Sequence, residues 1–192
     1  MQVYFIASSR LVDKNRDIYG QMYKTIAAEH KMVSDKVWKW VKSGVNDLRK
    51  GDEQTKRENY NESLKCINKA DIVVMEISGH SMSMGYLLSK ALEINKPVVA
   101  LYREEDMEPV FIAGINDPKL ILEKYTTTNV EKVILESMKK AKGLIDVRFN
   151  FFVSPKILTY LDWVGQQRMI PKSVFLRNLI EREMKKEKEF KG

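Results

Sequence analysis

The chain has 192 residues, 44% apolar and 31% charged, a balance that suits a globular core and excludes a disordered or fibrous chain. Its net charge of +7 favours anionic partners, and the segment after Ile145, a quarter of the length, carries about +4 of that charge. No apolar run approaches the ~18 residues of a membrane span, and the start MQVYFIASSR lacks the basic region and cleavage site of a signal peptide. The expected setting is therefore cytoplasmic, with no membrane partner. Cys66 stands alone beside only His30 and His80, so no internal disulfide, metal site or cofactor is expected.

Val3–Ala7 is an apolar run of strand length that ends in Ser8, Ser9 and Arg10. Ile18–His30 has helical spacing through Ile18, Met22, Ile26 and Ala27. Lys31–Lys42 is ambiguous, its Val/Trp alternation fitting a strand and its lysines a solvated face, and Val45–Thr55 reads as a polar loop or frayed turn. Glu58–Lys69 is helical, with Leu64, Cys66 and Ile67 inward. The stretch Asp71–Leu92 then predicts a buried strand (Asp71–Ile77), a Gly/Ser-rich turn (Ser78–Gly85) and a helix (Tyr86–Leu92). The strand Pro97–Tyr102 follows. Val110–Ile115 is a short apolar segment, Asp117–Tyr125 predicts a helix opened by Pro118, and Val130–Lys142 predicts an amphipathic helix. This alternation implies an α/β fold, a Rossmann-like doubly wound parallel sheet over residues 1–143. Such sheets place ligands outside the carboxyl ends of their strands, where helix N-termini offer N–H groups to anions.

Beyond Gly143 the period changes. Val147–Val153 alternates, with Phe149, Phe151 and Val153 on one face and Arg148, Asn150 and Phe152 on the other. Ser154 is placed to cap a helix that has Pro155 at its first position. Ile157, Leu158, Leu161 and Val164 form its apolar stripe, Gly165–Ile170 breaks it, and Pro171–Glu189 predicts a second helix. One strand and two helices in 146–192 cannot enclose a core alone, so a second copy of the segment is expected as partner.

That strand–helix–helix pattern resembles the ribbon-helix-helix DNA-binding domain of the MetJ/Arc class, over Arg148–Met184. The resemblance implies a homodimer through the C-terminal ribbon, with room for a higher oligomer, and DNA as partner. It implies that Arg148, Asn150 and Phe152 face bases, where Arg pairs with guanine and Asn with adenine. Phe152 departs from the polar residues expected there. Lys172 and Ser173, at the start of the second helix, would hold a phosphate.

The first ~145 residues resemble the nucleoside 2-deoxyribosyltransferase family, including relatives that hydrolyse the N-glycosidic bond of deoxynucleoside monophosphates. The likeness lies in VYFIASSR, in Ala70-Asp71 before the central strand, and in SMSMGYLLSKAL with KPVVALYR after it. The resemblance implies a nucleotide ligand held by Tyr4, Ser8, Arg10, Ser81, Ser83 and Gly85. It also implies a carboxylate nucleophile in a Ser-x-Gly-x-Gly-x-Glu turn and a second carboxylate on the preceding helix, because the transition state resembles an oxocarbenium ion. This sequence departs from that pattern. Leu87 stands at the nucleophile, Ser83 at the first glycine, Ser63 near the second carboxylate with Glu62 beside it, and Leu11 and Val12 where glycines usually follow the arginine. Glu76 lies within a strand and Glu93 nearly two turns along the helix, neither well placed to substitute, and His80 reads as a turn residue.

Three functions are compatible with these residues. The first is a DNA-binding transcriptional regulator whose transferase-like domain has lost its catalytic residue and binds a nucleotide. The second is an active N-glycosidase or deoxyribosyltransferase on deoxynucleosides or their monophosphates, its tail serving only oligomerisation. The third is a purely structural DNA-binding protein. The loss of a reacting group at Leu87 favours the first.

Overall fold

The apolar runs of β1 (Gln2–Ile6), β3 (Ile72–Glu76) and β4 (Val98–Arg103) form the middle of one sheet in the computed structural model, which describes residues 1–45, 51–79, 81–145 and 151–187. With β2 (Lys31–Met32) and β5 (Leu120–Tyr125) they give five parallel strands in the order β2-β1-β3-β4-β5. The runs are unbroken because helices cover both faces of a parallel sheet. Val3 and Phe5 of β1, with Ile72 and Val74 of β3, pack under α1 (Arg16–Glu29) and α6 (Val130–Gly143). Tyr4, Ile6, Val73 and Met75 take the opposite face, under α3 (Glu53–Lys69) and α4 (Met82–Glu93). The fold is α/β, doubly wound, and its direction of winding reverses between β1 and β3. The segments leaving those two strands, 7–10 and 77–79, flank the crevice where such sheets take ligands.

Several local expectations change. The segment expected as a helix after Pro118 is β5: Leu120 and Leu122 turn to the α3/α4 side and Ile121 and Tyr125 to the other, so period-2 burial outweighs the Asp-Pro helix start. The ambiguous Lys31–Lys42 divides into the two-residue β2 and the helix α2 (Lys36–Ser43), whose Val37 and Val41 pack on the α1 side. Val110–Ala113 is a single helical turn, α5. The turn expected over Ser78–Gly85 is shorter, because α4 already begins at Met82 and takes Ser83 and Gly85 into its first turns.

The chain separates into Met1–Asp146 and Val147–Gly192. In the second unit Ser154 accepts a hydrogen bond from the Ile157 amide (3.4 Å) and starts α7 (Pro155–Arg168). Met169, in the left-handed region at φ 52°, turns the chain toward α8 (Lys172–Met184). The buried apolar residues here are Leu161, Val164 and Phe175, with Ile170 and Leu176 against them. Phe151, Phe152, Ile157, Leu158, Trp163, Ile180 and Met184 stay exposed. Residues 151–153 are not in a strand. A ribbon strand pairs with a second chain, and one chain supplies no such ladder. No helix among the described residues is long and apolar enough to cross a membrane.

Candidate functional site

At the carboxyl ends of β1 and β3 the alternation of side chains sorts the polar groups onto two sides of the sheet. On the α3/α4 side, Tyr4 is 4% exposed, with the Ser63 hydroxyl as a hydrogen-bond partner and Glu62 close enough to act on it electrostatically. Burial is the main reason the Tyr4 phenol is pushed up to about 12; the Ser63 hydrogen bond opposes that rise, and Cys66 and Glu62 add to it. Ser63 itself donates to the Asn59 carbonyl (2.9 Å), and Glu62 forms a partly exposed ion pair with Lys36 (3.2 Å).

Leu87 packs against the apolar cluster on this same side. Its position is occupied by hydrocarbon, with no group able to attack or ionise. Tyr60 of α3 and Tyr86 of α4 join hydroxyls at the surface (2.8 Å) and tie the two helices together. Ser81 is the N-cap of α4 and its side chain makes no capping bond, while its carbonyl accepts from the Gly85 amide (3.1 Å). The amides of Met82, Ser83 and Met84 therefore lack intrahelical acceptors, the arrangement that receives a phosphate. A side chain at Gly85 would meet nothing within 4 Å, so the first turn of α4 borders open space.

Glu76 is on the other side. It is fully buried and accepts from the hydroxyls of Tyr19 (2.8 Å), Tyr125 (3.1 Å) and Ser78, and from the Ser78 amide (3.2 Å). The network continues outward. The Arg103 amide donates to Ser78 Oγ (2.8 Å), and Arg103 Nη2 donates to Oδ1 of the buried Asn15 (2.6 Å). Arg103 Nε is buried without a partner, a condition that costs about 1–3 kcal/mol when nothing else satisfies it. Ser8, Arg10, Leu11, Lys14, Asn15, Ser78, Gly79, Arg103 and Asp106 line a cavity of about 400 Å³ beside this network. Gly79 lies so close to Leu11 that a Cβ there would come within 2.5 Å of its Cδ1.

The six residues expected to hold a ligand are thus divided. Ser8 and Arg10 line the α1-side cavity, whereas Tyr4 belongs to the α3/α4 side and Ser81, Ser83 and Gly85 to the first turns of α4. Asn15, Ser78 and Arg103 escaped the sequence reading. Their signal was a charged residue, Glu76, ending an otherwise apolar strand, since a buried carboxyl requires donors close by. Neither Glu76 nor Glu93 adjoins Leu87, where the resemblance places the nucleophile. Glu76 is held across the sheet from Leu87, and Glu93 pairs with Lys90 (2.7 Å) at the surface. Among the described residues no group of His, Cys, Asp and Glu is arranged to hold a metal ion.

Of the residues assigned to DNA, Arg148 and Asn150 lie outside the described residues, as does His80. Phe152 is fully exposed. Lys172 forms an ion pair with Asp162 inside its own unit, and Ser173 is exposed in the first turn of α8.

No family model matches the chain. It is 29% identical over 150 residues to the "Putative 2'-deoxynucleoside 5'-phosphate N-hydrolase 1" of Thermofilum pendens, a match covering 77% of this chain and all of that one. The 5-hydroxymethyl-dUMP N-hydrolase of Rattus norvegicus is 25% identical over 103 residues, covering 54% of this chain and 61% of the relative. A CMP N-glycosidase structure from Clostridium botulinum superposes with a TM-score of 0.46 at 14% identity, covering 71% of this chain and 98% of that one, too distant to carry weight. The sequence likenesses support a nucleoside 2-deoxyribosyltransferase/N-hydrolase-like domain.

Proposed function

We propose that the first unit binds a 2'-deoxynucleoside 5'-phosphate and has an N-glycosidase-like function on it. The observation that carries this reading is that buried Tyr4 lies on the side of the sheet covered by α4, a helix whose first amides have no acceptor within it. The phosphate lies on those amides and the sugar against Tyr4. The relatives named for N-hydrolysis of such phosphates support the ligand class and favour the glycosidase over DNA-binding regulation. Glycosidic cleavage needs a carboxylate to stabilise the oxocarbenium-like transition state. On this side of the sheet Glu62 is the carboxylate that acts on Tyr4. Incubation with deoxynucleoside 5'-monophosphates, following free base, tests the reading. Base release that disappears in Glu62→Gln is the expected result. The hydrolytic step is refuted by tight binding without any release.

A second reading rests on Leu87. With hydrocarbon where the resemblance places the nucleophile, occupancy rather than turnover becomes the output, and the second unit becomes the effector. Its short core and exposed apolar faces suit a paired, DNA-binding tail. Ligand would act by binding differently to the DNA-bound and free states. This reading expects no base release, together with salt-sensitive retardation of the protein's own promoter fragment that Arg148→Ala weakens. It is refuted if DNA binding shows no preference for that fragment over unrelated sequence.

A further inference from the structure

The Glu62 side chain is 55% exposed, and a glutamate on an open helix face samples several rotamers. A carboxylate that stabilises an oxocarbenium-like centre has to keep to one of them, because a misplacement of ~1 Å can cost ~10²-fold in rate. The group that can hold it comes from another helix. Lys36, at the first position of α2, reaches α3 with its ammonium 2.6 Å from Asn59 Oδ1 and 3.2 Å from Glu62 Oε2. The same ammonium lies 5.7 Å from the centre of the Trp40 ring. Only 23% of the Lys36 side chain is exposed, so the cation is the more buried member of the ion pair.

Asn59 and Glu62 stand three residues apart and therefore share a face of α3. That face is the one joined to Tyr4, since the Ser63 hydroxyl donates to the Asn59 carbonyl (2.9 Å) and is the hydrogen-bond partner of Tyr4. Asn59 is itself tied down, donating through Nδ2 to the Thr55 carbonyl (2.8 Å). Cys66, one turn farther along α3, feels both charges: burial is the main reason its thiol is raised, Glu62 adds to the rise and Lys36 opposes it. An ordinary surface ion pair joins two mobile side chains and fixes neither. Here the ammonium is anchored by Asn59 and the Trp40 ring as well, so it selects the Glu62 rotamer rather than following it. We infer that Lys36 is a positioning residue for glycosidic cleavage, fixing the Glu62 carboxylate beside Tyr4 and acting through it. The inference rests on the glycosidase reading of the first unit.

Steady-state base release from a deoxynucleoside 5'-monophosphate by the full chain, with denaturation midpoints measured alongside, tests this. Lys36→Met should lower kcat by roughly 10- to 10²-fold and leave KM within about threefold, because the contacts to phosphate and sugar are kept. Lys36→Arg retains the cation and should bring kcat back to within about fivefold of the unaltered chain. Lys39→Met removes a charge from an exposed position of the same helix and should change neither constant. An unaltered kcat in Lys36→Met overturns the positioning role. So does a loss that Lys36→Arg shares in full, a loss that lies wholly in KM, or one that tracks a lowered denaturation midpoint. The two claims fail differently. If the unaltered chain releases no base, the glycosidase reading falls and the role of Lys36 falls with it. If base release is indifferent to Lys36→Met but disappears in Glu62→Gln, the reading stands and the role of Lys36 alone is overturned.

Discussion

Replacing Glu76 by alanine should lower the folding free energy of the first unit by about 3–5 kcal/mol, because two buried tyrosine donors lose their acceptor at ~1–3 kcal/mol each and a cavity opens beside them. Two tyrosine hydroxyls, one serine hydroxyl and one amide converge on this buried carboxyl on the α1 side of the sheet. Alanine leaves Tyr19 and Tyr125 with buried donors and opens a void between them. Glu76→Gln keeps the shape and one oxygen acceptor but turns an NH2 toward hydroxyl groups, so a smaller loss of about 1–3 kcal/mol is expected. Urea denaturation followed by the fluorescence of Trp38 and Trp40 reads both variants. A loss below 1 kcal/mol for Glu76→Ala would mean that the network contributes nothing net.

The same network sets an alkaline limit. Burial and the adjacent Glu76 raise the phenols of Tyr19 and Tyr125 far above their ordinary value, and burial raises that of Tyr4 to about 12. Unfolded phenols ionise near ~10, so above that pH the unfolded chain releases protons that the native state keeps. Their contribution is complete below about pH 10 and is lost as pH rises beyond it. Denaturation midpoints should be flat from pH 8 to 9.5 as far as these groups are concerned and fall by pH 11, with a shallower fall in Tyr19→Phe.

Leu87→Glu should create or raise base release from deoxynucleoside 5'-monophosphates by roughly 10²-fold, the scale of one well-placed transition-state electrostatic interaction. Leucine and glutamate are similar in length, and Leu87 already lies on the Tyr4 side of the sheet. The new carboxyl would sit against the apolar cluster on that side, so its pKa should rise and some stability should be lost. Leu87→Gln is the matched control, because it carries the same packing cost without the charge. Equal rates for the two variants would show that position 87 does not face the sugar.

The sheet was largely legible because parallel strands covered on both faces read as uninterrupted apolar runs, as in Val3–Ala7 and Asp71–Ile77. The cap at Ser154 was legible because serine followed by proline has one local geometry to satisfy. The edge strand β5 was not, since LILEKY mixes charge with hydrocarbon and follows a proline that also starts helices. The likeness to N-hydrolases was readable from the motifs around Tyr4 and Ser81, but not the division of the ligand residues between two faces. That division depends on register: Glu76 and Arg103 share a face only because β3 and β4 pair Glu76 with Leu101. Arg148 and Asn150 could be proposed from alternation alone, and their placement lies outside the described residues.

The central claim is that the first unit holds a nucleotide by its phosphate on the α4 amides and its sugar at Tyr4. Titration of the full chain with a deoxynucleoside 5'-monophosphate, beside the unphosphorylated deoxynucleoside, measures it most directly. The monophosphate should bind at least tenfold tighter than the nucleoside, and Gly85→Leu, which fills the open space at the first turns of α4, should abolish that binding without unfolding the chain. Equal, weak affinity for both compounds, or monophosphate binding untouched by Gly85→Leu, would contradict the account.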